Sequence, residues 1–124
     1  MVDNEEEVRS IISSMLVSAG YQCRAVAGGL EALALLQSGE KFELLLTDLL
    51  NTPMDGLSLL KSVRERFPDI GVVMATSVLD DAVVLACVRS GAYDYLPKPF
   101  DREQLLVAVR RAFEHRRLER RSWH

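Results

Sequence analysis

The sequence predicts an α/β domain: a parallel sheet, doubly wound, with helices on both faces. Three observations lead there. Short apolar runs, notably Leu44-Leu45-Leu46 and Gly71 to Thr76, are too brief for free-standing helices and read as strands buried on both faces. Stretches with apolar residues at helical spacing, each about ten residues long, alternate with these runs. The connections are short and punctuated by Gly and Pro, as expected where each helix carries the chain across to the next parallel strand. With 124 residues, 48% of them hydrophobic, the chain can bury one core and not two, so a single domain is expected.

In chain order, Met1-Val2 leads into a helix for which Asn4 can cap and Glu7, three residues on, can complete a capping box. Val8, Ile11, Ile12, Met15 and Leu16 recur along it at helical spacing, and Gly20 ends it. Tyr21 to Val26 reads as a strand, Gly28-Gly29 as a loop, and Leu30 to Gln37 as a second helix with Leu33 and Leu36 facing inward. The third strand, at Leu44 to Leu46, ends at Asp48. A third helix carries Leu57, Leu59, Leu60 and Val63 and is stopped by Pro68. Gly71 to Thr76 is the fourth strand, and Val78 to Ser90 a helix stopped by Gly91. Tyr93 to Leu96 is the fifth strand, and Lys98-Pro99 a turn. Asp101 then caps the last helix with Gln104 at the box position. A flavodoxin-like strand order of 2-1-3-4-5 is expected, with the first strand truncated to Met1-Val2.

Charge is unevenly spread. Residues 1–101 hold 8 Lys/Arg against 15 Asp/Glu, and residues 102–124 hold 7 against 3. An acidic body argues against direct nucleic-acid binding, which needs a cationic surface. Cys23 and Cys87 read as small core residues of a reducing compartment, not as a disulfide framework. No apolar run approaches the roughly 20 residues of a membrane span, and no signal peptide is evident, so a cytoplasmic protein is expected. The chain divides into a domain over 1–114 and a basic segment over 115–124, read either as a solvated helix end or as the start of a linker to an output domain.

Polar residues that a core does not require stand at successive strand ends: Asp3-Asn4, Asp48 and Thr76-Ser77, with Lys98 after the fifth strand. In the expected strand order Asp3 lies beside Asp48, at the switch point where ligands of such sheets bind. Two carboxylates at one site repel and call for a cation. Mg2+ suits them, since it takes few protein oxygens, keeps its waters and works with phosphates. A Thr76 hydroxyl and a Lys98 ammonium would complete a pocket for phosphoryl oxygens. The plainer readings are an N-cap for Asp48, a strand residue for Thr76, a solvated lysine for Lys98 and sheet-edge packing for Tyr95.

These residues, with Gly29-Leu30-Glu31-Ala32-Leu33, Pro53-Met54-Asp55-Gly56, Gly91-Ala92-Tyr93-Asp94-Tyr95 and Lys98-Pro99-Phe100, give nearly the whole chain a resemblance to the receiver domain of two-component response regulators. The resemblance implies that Asp48 accepts a phosphoryl group from a sensor histidine kinase. It also implies that Asp3 and Asp48 hold Mg2+ with Asn4 at the second acidic position and the Leu50 backbone carbonyl as a further ligand. Thr76 and Lys98 would bind the phosphoryl oxygens, and Thr76 and Tyr95 would be the switch pair. Lys98-Pro99 would be a cis peptide, and homodimerisation through the fourth helix, fifth strand and last helix is possible. The only chemistry would be self-phosphorylation and self-dephosphorylation, so the chain is expected to be a switch and not an enzyme acting on other substrates.

Two departures stand out. The family has a carboxylate where Asn4 stands, which weakens the metal site by one charge. Its first strand is an apolar run of about five residues, and losing three or four large buried side chains removes on the order of 5–10 kcal/mol, comparable with a whole domain's stability. A misplaced start, a segment swapped from another copy or a rearranged sheet would each account for this. The departures support an alternative, an unphosphorylated receiver-like interaction domain. A flavodoxin-like carrier or small α/β enzyme would need a phosphate-cradling loop or a nucleophile elbow after the first strand, and neither is there.

Overall fold

The computed structural model describes residues 1–3, 5–48, 56–77 and 80–121. Its elements follow the order α1 (Glu6–Ser18), α2 (Gly29–Gln37), β1 (Leu44–Thr47), α3 (Gly56–Arg66), β2 (Gly71–Thr76), α4 (Asp81–Arg89), β3 (Asp94–Pro97) and α5 (Arg102–Arg121). The three strands form one parallel sheet in the order β1-β2-β3, with Leu45 opposite Val72 and Met74 opposite Tyr95.

Val2 extends the sheet on the β1 side. It forms isolated parallel bridges to both Thr47 and Val26, so the full order runs Val26, Val2, β1, β2, β3. That is the expected 2-1-3-4-5 arrangement, with its first two members reduced to single bridges, and the sheet is not rearranged. The expected strand over Tyr21 to Val26 is therefore corrected to a bridge at Val26. A strand exists only where a ladder can form, and the neighbour that would pair with residues 21–25 is only Val2 and its immediate flanks. Ahead of Val2 lies a cleft of about 510 Å³, lined by Met1, Cys23 and Arg24 on one side and Leu44 and Leu46 on the other.

Side chains alternate across the sheet, and each face has its own core. Leu45, Val72 and Met74 pack with Ala32, Leu33 and Leu36 of α2 and Leu59, Leu60 and Val63 of α3. Leu46, Val73 and Ala75 pack with Ile12 and Leu16 of α1 and Leu105, Ala108, Val109 and Ala112 of α5. Every residue of β2 is buried, as its unbroken apolar sequence requires.

Ile11, expected on the apolar stripe of α1, is 55% exposed, because α1 touches only one sheet face and a stripe as wide as 11 and 12 together overruns it. The N-cap of α1 is Glu5, with no side-chain cap bond, so the expected capping box from Asn4 and Glu7 is not confirmed; Asn4 lies outside the described residues. At α5 the box is formed as read: Gln104 N–H donates to Asp101 Oδ1 at 2.8 Å and Asp101 N–H to Gln104 Oε1 at 2.9 Å. Helix α4 begins at Asp81, later than Val78, because the Asp80 carboxylate caps it by accepting from Ala82 N–H at 2.8 Å. Gly20 and Gly91 follow α1 and α4 with φ of 94° and 101°, where a side chain would be strained.

Candidate functional site

Asp3, Asp48, Thr76 and Lys98 arrive from four chain segments at the carboxyl edge of the sheet. Asp3 and Asp48 are brought together by the Val2 bridge: Val2 N–H donates to Leu46 O at 2.7 Å and Asp48 N–H to Val2 O at 3.2 Å. This places both carboxylates one residue beyond the bridge. Lys98 is set by the register of β3, which pairs Thr76 with Pro97, and by its own N–H donating to Thr76 O at 2.9 Å. The Lys98-Pro99 peptide is cis.

The Lys98 ammonium lies between the two carboxylates, donating to Asp3 Oδ2 at 2.8 Å and Asp48 Oδ2 at 2.9 Å. Asp3 is 3% exposed at its side chain, Asp48 15% and Lys98 20%, so the cluster is nearly withdrawn from water. Asp3 is held twice more: its Oδ1 accepts from Glu5 N–H at 2.9 Å, and its carbonyl accepts from Arg9 at 2.8 Å. Nothing in the local pattern of α1 announces Arg9 as a support of the site, since a helical arginine is ordinarily solvated.

Burial alone would lower the Lys98 pKa, but the hydrogen bonds and charges of Asp3 and Asp48 outweigh it and hold the ammonium above the ordinary lysine value of 10.5. A raised folded-state pKa means that the stabilisation is fully present below that ordinary value and is lost as the pH rises through the folded one. The stability gap between the wild type and Lys98→Met should therefore be constant near neutrality and close above about pH 10.5. Urea titrations at a series of alkaline pH values measure it, and a gap that persists undiminished to about pH 12 would contradict the assignment.

Thr76 is fully buried at the end of β2. Tyr95 is half-buried against the core face that holds Cys87, and burial, the Cys87 thiol and the Asp48 carboxylate together push its hydroxyl pKa up. Leu50 and Asn4, the remaining expected metal ligands, lie outside the described residues, as do Pro53, Met54 and Asp55. Cys23 and Cys87 are free thiols, and Cys87 is wholly buried.

The donor set suits a hard cation. Asp3 and Asp48 already converge on one positive group, the Lys98 ammonium, which stands in for a metal's charge. Among the described residues no cluster of three or more His, Cys, Asp or Glu converges, and two carboxylates completed by water and phosphate are what Mg2+ accepts.

A family model for the response regulator receiver domain matches residues 1–110. The chain belongs to that family. It is a phosphorylation-controlled receiver of two-component signalling, and receiver domains generally use Mg2+. Among its relatives, the DNA-binding transcriptional regulator NtrC of Salmonella typhimurium is 36% identical over 93% of this chain and 24% of that protein. The C4-dicarboxylate transport transcriptional regulatory protein DctD of Rhizobium meliloti is 32% identical over 95% of this chain and 25% of its own. The chain thus spans about a quarter of the length of these relatives. Among solved structures, NtrX from Brucella abortus superposes with a TM-score of 0.90 at 28% identity, covering 98% of this chain and 28% of that one. The isolated receiver domain of NtrX from Brucella abortus gives 0.85 at 29% identity over 91% and 95% of the two chains.

Proposed function

We propose that Asp48 of this receiver domain accepts a phosphoryl group from the phosphohistidine of a sensor kinase. The observation that carries the reading is the Lys98 ammonium held between the Asp3 and Asp48 carboxylates, 2.8 and 2.9 Å away, at the open end of the sheet. In the transfer, an Asp48 carboxylate oxygen forms a bond to phosphorus, the bond from phosphorus to the donor nitrogen breaks, and hydrolysis later returns inorganic phosphate. Lys98 offers a charge-assisted donor to the incoming phosphoryl oxygens. The Thr76 hydroxyl, at the adjacent strand end, supplies a second donor. Mg2+, held by Asp3 and Asp48 with Asn4 and the Leu50 carbonyl nearby in sequence, would neutralise charge on the phosphoryl group.

As Thr76 turns toward the acyl phosphate it leaves room for Tyr95, so the surface of α4, β3 and α5 changes shape, and a second copy or a downstream partner reads it. The NtrC relatives are named as DNA-binding transcriptional regulators. Residues 1–101 of this chain are net acidic, so DNA contact is not assigned to them. Among the described residues no helix is long and apolar enough to cross a membrane.

Incubation with acetyl phosphate and Mg2+ should add one phosphoryl mass to the intact protein and none to Asp48→Asn. An adduct that survives in Asp48→Asn would move the acceptor elsewhere. No adduct in the wild type would favour the unphosphorylated interaction domain that Asn4 suggests.

A further inference from the structure

The family match ends at residue 110, yet α5 runs without a break to Arg121, and in its later turns the exposed His115, Arg117 and Leu118 alternate with the partly buried Arg116 and Glu119. Arg64, in the final turn of α3, reaches across to Glu119, donating to its Oε1 at 3.1 Å while also donating to the Pro68 and Ile70 carbonyls at 3.1 and 3.2 Å. The Arg64 guanidinium lies 5.3 Å from the Tyr93 ring centroid. That ring also stacks on His115, with centroids 4.0 Å apart and planes 18° from parallel. Burial, with the Glu119 carboxylate nearby, pushes the Tyr93 hydroxyl pKa up. Next to this, Arg116 donates to the Asp69 carbonyl at 2.8 Å and faces Glu43 at 3.6 Å. Side-chain exposure separates these contacts from ordinary surface pairs: 22% and 24% for Arg64 and Glu119, against 60% and 54% for Arg117 and Glu114 on the same helix. The position of Tyr93 is itself built in, because a Cβ on Gly71 would run into its ring.

We propose that Arg64 and Tyr93 form a clamp that locks His115, Arg116 and Glu119 onto the body of the domain, so that α5 leaves it as a rigid rod in a fixed direction. Residues 115–119 then belong to the folded unit and are not a linker. The clamp sits at the amino ends of β2 and β3, opposite the Asp48 site. A polypeptide joined to the rod would inherit its orientation.

Hydrogen exchange of the intact chain tests the clamp. In the wild type, amides of residues 115–119 should exchange on the order of a hundredfold slower than in an unstructured peptide. Arg64→Ala and Glu119→Ala should each cost these amides about tenfold in protection, and the double variant little more, while residues 105–112 keep theirs. Arg64 also ties the turn after α3, so if Arg64→Ala unfolds the domain, Glu119→Ala decides alone, since its side chain is at the rim. Wild-type exchange at the unstructured rate, or undiminished protection in Glu119→Ala, would overturn the proposal.

Discussion

Lys98→Met should destabilise the metal-free domain by about 2–3 kcal/mol near neutral pH, and millimolar Mg2+ should recover most of that loss. The substitution keeps the length and apolar stem of the side chain and removes only the charge. Asp3, at 3% exposure, and Asp48, at 15%, then lose the ammonium that lies between them. Removing one partner of a buried pair typically costs about 3–5 kcal/mol. A value somewhat below that range applies here because the cluster opens at the strand ends and Lys98 itself is 20% exposed. On the proposed assignment Mg2+ would bind the same two carboxylates, so it should stabilise the variant more than the wild type, by mass action on the folded state. Phosphorylation should fall about a hundredfold even with metal saturating, as when one donor to a developing charge is lost. Urea unfolding with and without Mg2+, beside the rate of adduct formation, checks both parts. A loss of stability under about 0.5 kcal/mol would show that the three charges are effectively solvated.

Placing three β-branched residues ahead of Met1 should raise the thermal midpoint by about 5–15 °C. The reason lies in the edges of the cleft before Val2. In the β1–β2 ladder Gly71 N–H bonds to Glu43 O, so residues 43, 45 and 47 turn their peptide groups toward β2. Leu44 and Leu46 turn theirs the other way, and Leu46 O already accepts from Val2 N–H. Across the cleft the Arg24 carbonyl accepts from the Met1 nitrogen at 2.9 Å. Between these two edges the cleft is lined by apolar side chains that include Leu16, Leu44, Leu46, Val109 and Phe113. Three buried side chains would contribute about 1.5–3 kcal/mol each, against about 1–2 kcal/mol per residue of backbone entropy. The remaining few kcal/mol, at roughly 4 °C per kcal/mol for a domain of this size, give the stated shift. A Ser-Gly-Ser extension should leave the midpoint unchanged. Equal midpoints for the two extensions would show that the cleft does not take a strand.

Much of this protein was legible because its signals are local. The apolar runs at Leu44 to Leu46 and Gly71 to Thr76, the Asp101 and Gln104 box, and the inward leucines of α2 and α3 depend on neighbours within a turn or a strand, and the structure has them where the sequence placed them. Asp3, Asp48, Thr76 and Lys98 could be named as one site because a doubly wound sheet collects its strand ends at one edge. What the tertiary structure decided are the features that depend on a partner distant in sequence. Residues 21–25 are extended in pattern but not a strand, since a ladder needs a neighbour that Val2 alone does not provide. Ile11 belongs to the apolar stripe by spacing and to the surface by the limited width of the face it meets. Lys98 is a clamp between two carboxylates and not a solvated lysine because the β3 register carries it there. Arg64 and Glu119, 55 residues apart, form their pair only after α3 and α5 have packed against opposite faces of one sheet, and no periodicity along a single helix encodes a contact between two.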